Sequence, residues 1–70
     1  MLPLSLAELG EEAIIKRVGG TQETKKHLED LGFVVGGEVT VINSLGGNVI
    51  VNVKDTRVAI SEEMARKIMV

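Results

Sequence analysis

Along this chain of 70 residues, the spacing of apolar positions changes at the glycine pairs Gly19-Gly20, Gly36-Gly37 and Gly46-Gly47. Glycine reaches positive φ at no steric cost, so each pair reads as a turn. Ahead of the first pair, Glu12 to Val18 predicts a strand that follows a turn at Gly10-Glu11. Further upstream, Ser5 to Leu9 predicts one short helical turn that lays Leu4, Leu6 and Leu9 on the core. After the first pair comes the one well-formed helical pattern. Thr21 suits the N-cap, because its hydroxyl can accept from the free N–H groups of the first turn. Glu23 suits the positive end of the helix dipole. Thr24, Leu28 and Leu31 fall on one face at i, i+4, i+7, and Gly32 supplies the left-handed stop. Phe33 then falls where a Schellman ending brings its apolar contact, against Leu28.

Past the second pair the period becomes two. Val39 and Val41, then Val49, Val51 and Val53, alternate with polar residues such as Thr40 and Asn52, as strands with one buried face do. Leu45 to Asn48 predicts a tight hairpin, since Gly-Gly suits a primed two-residue turn. Lys54 to Thr56 predicts a second turn, helped by the tolerance of aspartate for unusual backbone angles. Arg57 to Ile60 follows as a strand, Ser61 as the cap of a helical turn over Glu62 to Lys67, and Ile68 to Val70 as a last short strand. The predicted order is β, α, β, β, β, helical turn, β. Five short strands and one helix in a single domain, 1–70, imply a small mostly-β barrel, closed or nearly so by contact between its first and last strands.

Composition sharpens this picture. A chain this short buries only about 60% of the surface its unfolded form exposes, so packing must be efficient. No cysteine is present to staple it, and Phe33 is the sole aromatic in a 44% apolar composition rich in valine and isoleucine. β-Branched side chains suit a pleated sheet. The net charge of −2, with both signs interspersed, offers no field to gather phosphates, and the want of aromatics removes base stacking. Nucleic acid is therefore not an expected partner. No apolar run approaches the roughly 20 residues of a membrane span, and no signal peptide is evident, so a cytoplasmic setting without direct membrane insertion is expected.

At the level of ordered motifs the chain resembles the FeoA family of bacterial ferrous iron uptake, over essentially its whole length. Leu4 to Gly10 resembles the family's leucine-rich opening, and Leu28 to Phe33 its Leu-x-x-Leu-Gly segment at the helix end. Gly36 to Val39 resembles the following Gly-x-x-Val, and Val58 to Ile60 with Ala65 to Val70 the closing part. Three positions depart from the family: Val35 replaces the usual proline before the central glycine, His27 the usual arginine, and Asp55 a common hairpin glycine. The resemblance implies an SH3-like barrel with one inserted helix, related to the carboxy-terminal domain of DtxR-type metal-dependent repressors. It also implies a role as an accessory module that regulates or assembles the FeoB ferrous iron transporter, a membrane protein with a cytosolic GTP-binding domain. Recruitment to the inner face of the membrane would then come through that partner. Self-association is compatible with such a barrel.

Chemistry is sparse. His27 is the sole histidine, and nothing brings Ser5, Ser44 or Ser61 to it, so no catalytic set is expected. The glycine pairs match neither the dinucleotide nor the P-loop pattern. Glu23 and His27 stand i, i+4, with Asp30 three residues further on. They could hold Fe²⁺ or Zn²⁺ weakly in a metal sensor or carrier. A solvated helix face, with Glu23 and Glu29 near Lys25 and Lys26, accounts for the same pattern. Two surfaces are candidates for protein contact: the loop after the helix, with Phe33, Val34 and Val35, and the hairpin tip at Leu45. Phe33 is the member best suited to enter the core. A detached SH3-like module serving another assembly is the remaining alternative.

Overall fold

The computed structural model describes residues 1–70. A 3-10 turn at Leu4–Leu6 precedes strands β1, Glu12–Ile14, and β2, Arg17–Val18. Helix α1 spans Gln22–Leu31, strands β3, β4 and β5 span Glu38–Leu45, Asn48–Val53 and Thr56–Ser61, and the turn α2, Glu62–Ala65, leads into β6, Ile68–Met69. One antiparallel sheet has the order β1-β3-β4-β5, and β2 pairs with β6 in a second.

The five alternating valines, Val39, Val41, Val49, Val51 and Val53, all point inward and are buried, with Ile60 of β5 beside them. Their register is fixed across the sheet, Val39 facing Val53 and Val41 facing Val51. A one-residue slip would turn every one of them to water, so the pattern strongly specifies the pairing. An irregularity between Val41 and Asn43 leaves Ile42 outside the register. The Gly46-Gly47 loop has φ of 59° and 82°, the two positive values a type I′ hairpin needs. The β4–β5 loop has the same geometry on non-glycine residues, Lys54 at 52° and Asp55 at 60°.

Two local expectations differ from the structure. The segment 12–18 is two strands, because its backbone changes partner midway. Ile15 donates to the Gly37 carbonyl (2.9 Å) and accepts from the Gly36 amide (2.8 Å), whereas Lys16 donates to Met69 (2.8 Å). This switch carries the chain from one sheet to the other and closes the barrel, so β2 rather than the whole segment meets the last strand. At the amino end, Leu4 is buried but Leu6 and Leu9 are 72% and 60% exposed. A 3-10 turn has three residues per turn, so Leu4 and Ala7 share the inner face and Leu6 points out. Ala7 is indeed packed against the core.

Helix α1 begins and ends as its residues dictate. The Thr21 hydroxyl accepts from the Thr24 amide at 3.2 Å. At the other end Gly32, φ 110°, donates to Glu29, and Phe33 donates to Leu28 at 2.9 Å, the pair of bonds of a Schellman ending. Leu28 and Phe33 are both fully buried in one core cluster. Ser61 caps α2 in the same manner, accepting from Met64 at 3.2 Å. No helix is long and apolar enough to cross a membrane.

Candidate partner-docking surfaces

The loop after α1 is built around an inward aromatic. Phe33, at 1% exposure, lies in the core, so its side chain is not available to a partner and the candidate surface loses that member. The chain then makes a tight turn from Val34 to Gly37, closed by a bond from the Gly37 amide to the Val34 carbonyl (2.9 Å). Gly36 has φ 88° in the third position, where a type II turn needs it. Val35 therefore occupies the second position of this turn, the place that favours proline. Its exposure is 67%, while Val34 is half-buried. Beside them a shallow groove of about 360 Å³ runs between the turn and α1, lined by Val18, Phe33, Val34 and Val35 with Lys25 and Glu29.

Leu45 stands at the other candidate surface, also 67% exposed, where β3 enters the Gly46-Gly47 turn. A methyl group added to either glycine would meet nothing within 4 Å, so the tip projects freely. Beyond the hairpin ladder it is tied to β5, where Asn48 pairs with Ser61, and the Gly47 carbonyl accepts from the Glu62 amide at 2.9 Å.

Glu23, His27 and Asp30 line one shallow depression on α1, together with Thr24, Lys26 and Met64. Sharing a depression is not chelation: no three histidine, aspartate or glutamate side chains are close enough to hold a metal ion. Lys26 adds a cation to the same hollow, which opposes a second one. The expected pairs between Glu23 or Glu29 and Lys25 or Lys26 are absent too; the single ion pair is Arg66–Glu62 at 2.8 Å.

Sequence reasoning did not single out an apolar groove at the amino end, lined by Leu2, Leu6, Ala7, Ala13 and Val70. It forms because the two termini pair, Leu2 donating to Val70 (2.9 Å) and accepting from it (2.8 Å). Nothing in the sequence pointed to it, since Leu6 reads there as a core residue of the opening turn.

Residues 2–70 match the model of the FeoA domain family. A Methanocaldococcus jannaschii protein named for Fe(2+) transport, as transport protein A, is 36% identical over 70 residues, spanning 100% of this chain and 85% of the relative. The crystal structure of an iron uptake regulatory protein, FeoA, superposes with a TM-score of 0.88 at 28% identity, covering 97% of this chain and 90% of that one. FeoA of Stenotrophomonas maltophilia, described as an SH3 domain protein and crystallised with zinc, gives 0.83 at 28% identity over 99% and 88% of the two chains. The SH3-like fold alone is shared with a manganese-dependent transcriptional repressor, at 14% identity and a TM-score of 0.83 over 94% of this chain and 38% of that one. The barrel, the helix inserted after β2 and the match from one end of the chain to the other lead to one assignment: this chain belongs to the FeoA family.

Proposed function

We propose that this chain is an accessory module of ferrous iron transport that acts by docking on the cytosolic part of a FeoB-type transporter. The observation that carries the reading is the Val35 turn, an exposed aliphatic mounted beside an apolar groove in a chain of this family. An exposed apolar side chain on a well-supported turn is the kind of feature that anchors a protein interface. Leu45 offers a second, smaller contact. Nucleotide hydrolysis in such an assembly would belong to the partner.

The test is an NMR titration of the ¹⁵N-labelled chain with the transporter's cytosolic domain. Shifts at Leu31 to Gly37, weakened by Val35→Glu with the fold intact, are the expected result. Undiminished binding by both Val35→Glu and Leu45→Glu would rule out both docking surfaces.

A second reading, a metal sensor or carrier, draws on the shared depression of Glu23, His27 and Asp30 and on the zinc in the Stenotrophomonas relative. The residues present do not make a chelating set, so any ion would rest on a pair of ligands completed by water. Titration calorimetry with Fe²⁺ or Zn²⁺ decides it: heat at micromolar metal that disappears in His27→Ala supports the reading, and no heat removes it.

A further inference from the structure

The four-stranded sheet has two edge strands, β1 and β5. An open edge is a template for another strand unless it is covered or charged. At β1 the direction of the backbone groups follows from its hydrogen bonds. Ile15 turns its N–H and C=O towards the Gly36-Gly37 turn that leads into β3, and Lys16 donates the other way, to Met69 of β6. Backbone groups alternate sides along a strand, so Glu12 and Ile14 direct theirs away from β3. The apolar groove lies on this same edge. It has a volume of about 440 Å³, a floor of Leu2, Leu6, Ala7, Ala13 and Val70, and a rim of Glu8, Glu11 and Glu12. None of these three carboxylates has a cationic partner, since the one ion pair of the protein joins Glu62 and Arg66. No comparable depression borders β5; the others lie over the outer sheet face, on α1 and at the Val35 turn.

We propose that the open edge of β1 takes up an extended protein segment as an added strand, and that this segment alternates aliphatic with basic side chains. The alternation follows from the pleat. Ala13 faces inward against the core and Glu12 faces outward, so one set of the segment's side chains would enter the apolar groove while the other meets the carboxylates. An acidic or proline-rich segment would fail, the first by charge repulsion and the second for want of amide donors. The site shares no lining residue with the groove at Val35 and does not depend on the identity of the transporter.

The probe is a synthetic hexapeptide, Lys-Val-Arg-Val-Lys-Val with blocked ends, titrated into the ¹⁵N-labelled chain at low salt. Its controls are the same peptide with glutamate for each basic residue, and one with a central proline. Shifts confined to Leu2, Leu6 and Glu11 to Ile14 are expected, with exchange of the Glu12 and Ile14 amides slowed at least tenfold. The double variant Glu11→Lys, Glu12→Lys, exposed at both positions, should lose at least tenfold in affinity with an unchanged far-UV circular dichroism spectrum. The proposal is overturned by the absence of shifts at millimolar peptide, by shifts at Arg57 to Ile60 of β5, or by equal binding of the glutamate peptide. Concentration-dependent shifts at β1 without any peptide would overturn the assigned occupant, giving the edge to a second copy of this chain.

Discussion

The turn at Val35 and the hairpin tip at Leu45 expose an aliphatic side chain to the same degree, yet they are mounted in opposite ways. The first is held by five backbone hydrogen bonds, two of them exchanged with Ile15, one closing the turn on Val34, one from Val34 to Gly32 and one reaching back from Phe33 to Leu28. Beneath it sits the buried ring of Phe33. The second hangs on its hairpin ladder, on the β4–β5 pairing that ends at Asn48 and Ser61, and on one bond to Glu62. Equal exposure therefore does not mean equal fitness to bind. A side chain already held in place loses little conformational freedom on docking, whereas a side chain on a tip with fewer ties has more to lose. The Val35 turn is the better anchor for that reason.

The largest expected effect removes the mounting of the first region. Phe33→Ala should cost about 3–5 kcal/mol, the range for emptying a buried aromatic site. For a chain of this length the total stability is on the order of 4–10 kcal/mol, so the variant should be partly unfolded or close to it. Urea denaturation checks this. A midpoint moved by less than the equivalent of about 1 kcal/mol would mean that the turn does not rest on the ring.

Gly32→Ala strikes the same region through the backbone. An added methyl would lie 3.5 Å from Lys54 Cδ and 3.5 Å from a Val53 methyl, so there is space for it. The cost comes instead from φ 110°, which an L side chain resists, and should be about 1–2 kcal/mol. The midpoint should fall with an unchanged denaturant slope, and the amide shifts of Leu45 to Asn48 should stay where they are. Shifts that spread to the hairpin would mean the two regions are coupled rather than separately mounted.

Binding carries the comparison to function. In titration with the transporter's cytosolic domain, Val35→Glu should weaken association about tenfold, equivalent to about 1.4 kcal/mol. Leu45→Glu should weaken it less, by about threefold at most, because its ordering cost offsets its contact. The reverse ranking would make the hairpin tip the anchor.

Much of this was legible in the residues. The five valines, the Thr21 cap, the Gly32 stop and the Gly46-Gly47 turn are each set by interactions within a few positions, and local spacing reports them faithfully. Val35 was legible as an exposed aliphatic because a glycine-bounded turn has little interior to offer it. The proline common in the family at this place also has a structural reason, since Val35 fills the second position of the type II turn. The break at Ile15–Lys16 was not legible, because it depends on Met69 at the far end of the chain. Leu6 misled because a helical turn of three residues per turn has a different inner face from one of 3.6, and Leu9 because that turn ends at Leu6. The groove at β1 needs Leu2 and Val70 to pair, and no local pattern announces a contact between the two termini.

The smallest effects come from stiffening each region in turn. Val35→Pro should stabilise the fold by about 0.4–1 kcal/mol, by restricting the unfolded chain at a position already shaped for proline. The Val35 amide makes no backbone hydrogen bond, so nothing is lost on the folded side. Gly46→Asn should gain a similar or smaller amount: φ 59° suits asparagine, Asn-Gly is a favoured pair for this hairpin, and an added Cβ meets no neighbour within 4 Å. Denaturation midpoints test both, and a fall in either would show that the substituted turn is strained. The two variants should then part in the binding assay. At the first site the mounting is already rigid, so Val35→Pro changes chiefly the side chain offered to the partner. At the second, Gly46→Asn leaves Leu45 in place and lowers the cost of ordering it, so any contact Leu45 makes should strengthen. Affinity that rises in Gly46→Asn and returns to the parent value when Leu45→Glu is added would place Leu45 in the interface. Affinity unchanged by Gly46→Asn would leave the Val35 turn as the docking point and Leu45 outside it.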